Sequence, residues 1–173
     1  MDTFLELLKY IIPALIVLFS TWIVLHSILL NAEKQRMTEL LMKSHEITIP
    51  LRLQAYERII LFLERISIDS MLTRLNQPGM SCRQMHTEII STIRNEYEHN
   101  LSQQVYVSAK AWEMVKNARV QTIKIINASF EATNPTLSAI ELSKKIIENI
   151  GEYDKSPAQT AIDFIKEEVQ DIF

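Results

Sequence analysis

The sequence predicts an all-α protein with one N-terminal transmembrane helix followed by a bundle of about five helices. Three observations support this fold class. The 21 residues from Tyr10 to Leu30 include no Asp, Glu, Lys or Arg. Behind them, apolar residues recur every three or four positions, which is helical rather than strand spacing. Only two of the 173 residues are glycine, whereas average composition would give about twelve.

The apolar segment at 10–30 is long enough to cross a membrane. At about 1.5 Å per residue its helix covers about 30 Å, the thickness of the hydrocarbon core. A cleaved signal peptide is the alternative, but its apolar region is usually about 7–15 residues. His26 is ionisable and lies near one end of the segment, so interface placement competes with a proton or ligand role. The residues that mark the segment are Tyr10, Pro13, Trp22, His26 and Leu30.

Charges beside this segment predict its orientation. Lys34, Arg36 and Lys43 follow it, whereas only Lys9 precedes it, and the side richer in Lys and Arg stays in the cytoplasm. The single cysteine, Cys82, fits a reducing compartment. We therefore expect a short external tail at 1–9, the transmembrane helix at 10–30, a polar helical stalk and turn at 31–49, and a cytoplasmic helical bundle at 50–173.

The stalk carries a short apolar stripe of Met37, Leu40 and Leu41. It spans about two heptads, fewer than the three or four that indicate a coiled coil. An extended turn is expected over residues 46–49, because the position before Pro50 disfavours helix.

The bundle begins with a helix at Pro50 or Leu51, and whether it runs on to Leu75 is open. Its apolar stripe is Leu53, Tyr56, Ile60 and Leu63. Residues 76–79 have the Pro-Gly order of a type II turn. Ser81 and Gln84 have the spacing of a capping box, in which each side chain bonds the other residue's backbone, so a helix begins there.

Three further helices complete the expected bundle. The first has Ser108 as N-cap, runs to about Glu131 and lies at the centre of the bundle. Residues 104–107, which precede it in sequence, alternate between polar and apolar and could be extended. The second starts at Asn134-Pro135 and ends at Gly151. The last starts at Ser156-Pro157 and runs to Phe173. The inward residues of the second are expected to be Leu137, Ile140, Ile147 and Ile150.

Several kinds of site have no motif in this sequence. Phosphate-binding loops and nucleophile elbows need closely spaced glycines, and Gly79 and Gly151 are far apart. The pair Cys82 and His86 could reach one metal ion, but a closed zinc site needs four ligands. We therefore predict no catalytic residue, cofactor or metal. No concentrated basic run indicates nucleic acid.

Two functional hypotheses remain. The leading one is a membrane-anchored helical interaction or scaffold module, whose partners are the lipid bilayer and a protein or a second copy of the chain. The alternative is a small-ligand sensor or enzyme with a pocket inside the bundle, around Arg94, Tyr97 and His99. Charge gives one further cue: residues 131–173 carry four basic against nine acidic side chains, which could form an acidic docking surface.

The run from Glu96 to Trp112, Glu-Tyr-Glu-His-Asn-Leu-Ser-Gln-Gln-Val-Tyr-Val-Ser-Ala-Lys-Ala-Trp, resembles a family of uncharacterised bacterial single-pass membrane proteins. These carry one N-terminal span and a helical domain of unknown function. The resemblance implies the inner membrane as location and transfers no active-site residue.

Overall fold

A computed structural model describes residues 2–172, with side chains described for 15–171 except at 32, 40, 41 and 44. The chain divides into two compact units, residues 1–49 and 50–173, and each is described by itself. The described chain has no strand beyond one isolated bridge. Its helices are α1 (Asp2–Arg65), α2 (Ile68–Leu75), α3 (Cys82–Asn100), a 3-10 helix (Leu101–Val105), α4 (Ala109–Glu131), α5 (Ala139–Ile150) and α6 (Pro157–Ile172).

The N-terminal unit is helical and contains one stretch apolar enough to cross a membrane. This stretch is Leu15–Glu39, with a mean hydropathy of 2.0 in its most apolar window, none of it buried. Trp22, His26 and Leu30 are exposed on it. Tyr10 and Pro13 lie in α1, and their side chains are outside the described residues. The all-α class and the single candidate membrane helix are therefore confirmed.

The extended turn expected at 46–49 is wrong, because α1 is helical from Asp2 to Arg65. Proline removes one backbone donor and crowds the preceding turn, at a cost of about 3 kcal/mol inside a helix. Residues 45–50 are all exposed, so water can bond the carbonyl that loses its partner. The pre-proline preference is local, and the helical residues on both sides override it.

The core of the C-terminal unit forms around α4, which packs against α3, α5 and α6. The central position expected for this helix is confirmed. The residues from α1 that enter the core include Tyr56, Ile59 and Leu63, whereas Leu53 remains 40% exposed. Leu53 was expected on the buried stripe, but the first buried residue of this helix among those described is Ala55.

The helix starts expected at Ser81, Ser108 and Ser156 and the turn expected at residues 76–79 are confirmed. The Ser81 side chain accepts from the Gln84 backbone, and Gln84 reaches back to complete the capping box. Ser108 caps α4 and Ser156 caps α6, each accepting a backbone N–H three residues on. Gly79 has a φ of 82°, and the Met80 N–H donates to the Gln77 carbonyl at 3.2 Å, as in a type II turn.

One boundary was left open by the sequence, and two others differ from expectation. Helix α1 ends at Arg65 and α2 begins at Ile68, which settles the open question in favour of a break. Residues 101–105 form a 3-10 helix, so the extended piece expected at 104–107 is wrong. Helix α5 begins at Ala139, because the Asn134 side chain accepts from the Thr136 N–H at 3.0 Å and forms a local turn instead of a cap.

Helix α5 also buries a different face from the one expected. Its buried residues are Ala139, Leu142 and Ile146. Leu137, Ile140 and Ile147 are 45%, 54% and 54% exposed, and only Ile150 packs partly against the core. Gly151 ends the helix as expected, but with a right-handed φ of −63° rather than the left-handed geometry of a C′ glycine. The expected end of α6 at Phe173 lies outside the described residues.

Candidate functional site

The first turns of α3 and α5 lie side by side, and a two-residue backbone bridge holds them together. The Cys82 N–H donates to the Leu137 carbonyl at 2.8 Å, and the Ala139 N–H donates to the Met80 carbonyl at 2.9 Å. This pairs Ser81 with Ser138, the N-cap residues of the two helices. Two helix starts therefore open on the same side of the bundle.

A cleft of about 620 Å³ lies beside these helix starts. A second cleft of about 580 Å³ adjoins it across the Pro78-Gly79 turn, since both share residues 77–80. Among the described residues that line the first cleft, none is ionisable. They are Asn76, Gln77, Pro78, Gly79, Met80, Ser81, Thr136, Leu137, Ser138, Ala139 and Ile140. Such a lining can donate and accept hydrogen bonds and can bury apolar groups, but it supplies no general acid or base.

An exposed apolar surface continues from the cleft along α5. We call Leu137, Ile140 and Ile147 the α5 apolar face; the first two also line the cleft. Lys144 lies between the two isoleucines and bonds Glu141 at 2.9 Å. Exposed apolar side chains rimmed by polar ones are typical of binding surfaces. The α5 apolar face and the cleft together form the candidate site.

The structure does not bring together the pocket residues expected on α3. Tyr97 packs into the core, with its ring centroid 5.7 Å from Trp112 and 6.1 Å from Phe62. Arg94 and His99 are exposed. None of the clefts described here is lined by any of the three. Tyr97 therefore packs against the core instead of facing a ligand, while Arg94 and His99 lie in solvent.

The guanidinium of Arg119 lies 4.0 Å from the centroid of the Tyr97 ring. Its Nε is buried and has no hydrogen-bond partner among the described residues. Burial removes water from this nitrogen. The electron-rich face of the Tyr97 ring attracts the guanidinium charge and offsets part of the cost of that desolvation. Sequence spacing gave no sign of this contact, because the two residues lie on different helices.

The histidine and cysteine that could have shared a metal make other contacts. The His86 ring stacks on Phe130 at 4.1 Å between centroids, and its Nε2 bonds the Asn127 Oδ1 at 2.9 Å. Cys82 is fully buried, and burial raises the pKa of its thiol. Among the residues that the structure describes, no group of three or more potential metal ligands occurs.

The structure also contains a partly buried polar cluster that no sequence motif indicated. The Tyr56 hydroxyl donates to one oxygen of Glu168 at 2.5 Å, and the Ser108 hydroxyl donates to the other at 2.7 Å. The pKa of Tyr56 is raised, chiefly by burial and further by Glu168. This cluster ties α1, the start of α4 and α6 together, so it positions helices and does not face the cleft.

No curated protein and no solved structure matches the chain. A family model does match it, over residues 2–172. This single match covers both the apolar N-terminal helix and the bundle. The resemblance around Glu96 to Trp112 led us to expect a family without an assigned function. The chain belongs to the family of unknown function DUF7935.

Proposed function

We propose that this chain is a membrane-anchored interaction module, whose bundle contacts a protein partner through the α5 apolar face and the adjoining cleft. The observation that carries the proposal is the exposure of Ile140 and Ile147, each 54%. The same helix buries Leu142 and Ile146 completely. Apolar side chains on both sides of one helix are expected when the second side is covered by another molecule.

Charge supports a partner segment that combines apolar and basic residues. Residues 131–173, which include α5 and α6, carry nine acidic and four basic side chains. On α5 itself Glu141 and Glu148 pair with Lys144 and Lys145, so the acidic excess lies on the rest of residues 131–173. A basic segment would be attracted to that part of the chain while its apolar side chains bury Ile140 and Ile147. Such attraction between exposed charges weakens as salt is raised, since the Debye length falls to about 3 Å at 1 M.

Membrane anchoring is the second part of the proposal. The apolar stretch at Leu15–Glu39 supports it by length and hydropathy. Lys34, Arg36 and Lys43 favour a cytoplasmic bundle. Protease access to a C-terminal tag in sealed spheroplasts tests this orientation. The tag should be protected until the membrane is opened, and exchange of the three basic residues for Glu should weaken or invert insertion.

Site-specific photocrosslinking in membranes tests the binding surface. A photoreactive residue at Ile140 or Ile147 should give a discrete crosslinked protein, in a yield that falls at high salt. The same residue at Lys116, exposed on α4, serves as the control. Equal yields from all three positions would remove the α5 apolar face from the proposal.

A small-ligand function remains the alternative, and one observation supports it. The first cleft, at about 620 Å³, lies within the range of about 300–1,000 Å³ that small-molecule sites occupy. Substitution of Ser138 by Trp would fill the cleft and leave Ile147 untouched. If a ligand raises the stability of the unmodified chain, the Ser138→Trp chain should lose that gain. Crosslinking at Ile147 should stay unchanged, and this combination would favour the small-ligand alternative.

A further inference from the structure

Arg119 is a partly buried cation that has no counter-charge among the described residues. Its guanidinium lies 4.0 Å from the centroid of the Tyr97 ring, and its Nε is buried without a described hydrogen-bond partner. The ion pairs found in the described part of the chain use other cations, namely Arg65, Lys144, Lys145 and Lys155. A partly buried charge is costly unless an opposite charge compensates it, and a ring face compensates it only in part. An anion would supply the missing compensation.

The Tyr97 ring gives this guanidinium a fixed support. It packs against Trp112 and Phe62, at 5.7 and 6.1 Å between ring centroids, so the core holds the ring in place. A cation held over a ring face keeps most of its five N–H donors free for another partner. Because the position of Arg119 is set before any ligand arrives, little side-chain entropy is lost when a ligand binds.

Two side-chain contacts define how α3 lies against α4. His86 stacks on Phe130, and Tyr97 lies under Arg119. Eleven residues separate the two contacts on each helix (86 to 97, and 119 to 130), in opposite directions along the chain, so the helices are antiparallel along this groove. Arg94 precedes Tyr97 by about one turn on the same side of α3. It therefore lies within about one turn of Arg119 on the facing helix.

Arg94 adds a second cation to this groove. It is exposed and belongs to none of the ion pairs found among the described residues. Glu96, the carboxylate nearest to it in the chain, bonds Arg65 at 3.1 Å instead and lies about 160° from Arg94 around the helix. Glu98 lies about one turn beyond Arg94, but no ion pair joins the two. Two like charges on facing helices repel each other until an anion lies between them, and a dianion serves two cations better than a single carboxylate does.

We propose that Arg119 and Arg94 bind one phosphate group in the groove between α3 and α4. The planar fork of an arginine bonds two phosphate oxygens at once, and two such charges match a phosphate dianion. This site is separate from the α5 apolar face and its cleft. His99, which was expected beside Arg94, lies about 140° from it around α3 and takes no part.

Stability with and without phosphate tests this site against a purely structural role for Arg119. Urea unfolding of the full chain in mild detergent is measured in chloride and in inorganic phosphate at equal ionic strength. The unfolding midpoint of the unmodified chain should rise in phosphate. Arg119→Met should keep only the small rise that phosphate causes by strengthening apolar burial in general, and its midpoint in chloride should change little. Lys124→Met is the matched control, since Lys124 is exposed on the same helix about 140° from Arg119 and should leave the full rise intact.

Equal rises in the unmodified chain, Arg119→Met and Lys124→Met would overturn the proposal, since phosphate would then act only through its general effect on burial. A loss of stability in Arg119→Met that is the same in chloride and in phosphate would show that Arg119 has a structural role alone, and it would overturn the proposal as well.

Chemical modification of arginine tests whether Arg94 shares the same phosphate group. Phenylglyoxal reacts with exposed guanidinium groups, and peptide mass spectrometry gives the modified fraction at each arginine. Inorganic phosphate should lower the modification of Arg94 several-fold and leave that of Arg58, exposed on α1, unchanged. Arg119→Met should remove this protection of Arg94. Equal modification of Arg94 with and without phosphate would contradict a site made of two arginines.

The same reaction in vesicles distinguishes a lipid headgroup from a soluble phosphorylated molecule. The full chain is reconstituted without free phosphate in vesicles of zwitterionic lipid, with or without phosphatidylglycerol. Protection of Arg94 by phosphatidylglycerol would assign the phosphate group to a lipid. Protection only after inorganic phosphate is added would assign it to a soluble molecule, and protection in neither case would refute the proposal.

Discussion

Ile146 and Ile147 are adjacent, identical in type and different in environment, so they test the orientation of α5 directly. Ile146 is fully buried, and Ile147 is 54% exposed. Both lie well inside α5, so replacement by Ala removes the same atoms from the same helix. We expect Ile146→Ala to destabilise the bundle strongly and Ile147→Ala to have little effect.

The magnitudes follow from burial. Substitution of Ile146 removes about three buried carbon groups, each contributing about 0.8 kcal/mol, and the cavity left behind raises the total loss to about 2–5 kcal/mol. For Ile147 about half of that transfer energy is absent, because the side chain is already half in water. The better helix propensity of Ala recovers about 0.4 kcal/mol, so the net loss should be below about 1 kcal/mol.

Urea unfolding of the full chain in mild detergent, followed by far-UV circular dichroism, measures both values. The unfolding slope should be unchanged, so that the shift in midpoint reports stability alone. Equal losses for the two variants, or a larger loss for Ile147→Ala, would refute the buried face described for α5. The candidate site would then lose its exposed isoleucines.

Three further predictions concern the polar cluster, the turn and the cysteine. Because the pKa of Tyr56 is raised in the folded state, stability should fall as pH rises above about 10, the pKa of the unfolded group. Tyr56→Phe should flatten that fall and lower the free energy of unfolding at neutral pH by about 1–2 kcal/mol. Urea unfolding curves recorded at several pH values measure both effects. Gly79→Ala should lower the free energy of unfolding by about 1–2 kcal/mol through backbone strain alone, because its φ is 82° and no atom lies within 4 Å of the added methyl group. Gly151→Ala is the control: its φ is negative, so its effect on the free energy of unfolding should stay within about 1 kcal/mol. Alkylation of Cys82 should be slow in the native chain and fast in denaturant, because its thiol is buried and the pKa of the thiol is raised. Mass spectrometry measures both rates, and equal rates in the two states would contradict the burial.

Local signals in the sequence predicted the starts of α3, α4 and α6 but not the start of α5. The capping box at Ser81 and the cap at Ser108 each depend on residues three positions apart, so their contacts form within one turn. The turn at Gly79 is equally local. These features were readable from sequence because the contacts that form them close within one turn.

The face buried by α5 depended on distant partners and could not be predicted. Apolar residues lie on both sides of this helix, so periodicity fits Leu142 and Ile146 as well as Ile140 and Ile147. The bridge between Ser81 and Ser138 delays the helix start, and neighbouring helices select the buried side. The candidate site was therefore missed, because its defining feature is apolar residues that the fold leaves outside.

The bond between Tyr56 and Glu168 spans 112 residues of chain, which has a consequence during synthesis. At about 5–20 residues per second, Tyr56 leaves the ribosome roughly ten seconds before its carboxylate partner. During this interval α4 lacks α6, against which it packs, and apolar residues that α6 later covers are open to water. The growing chain therefore exposes these apolar residues until α6 has been synthesised.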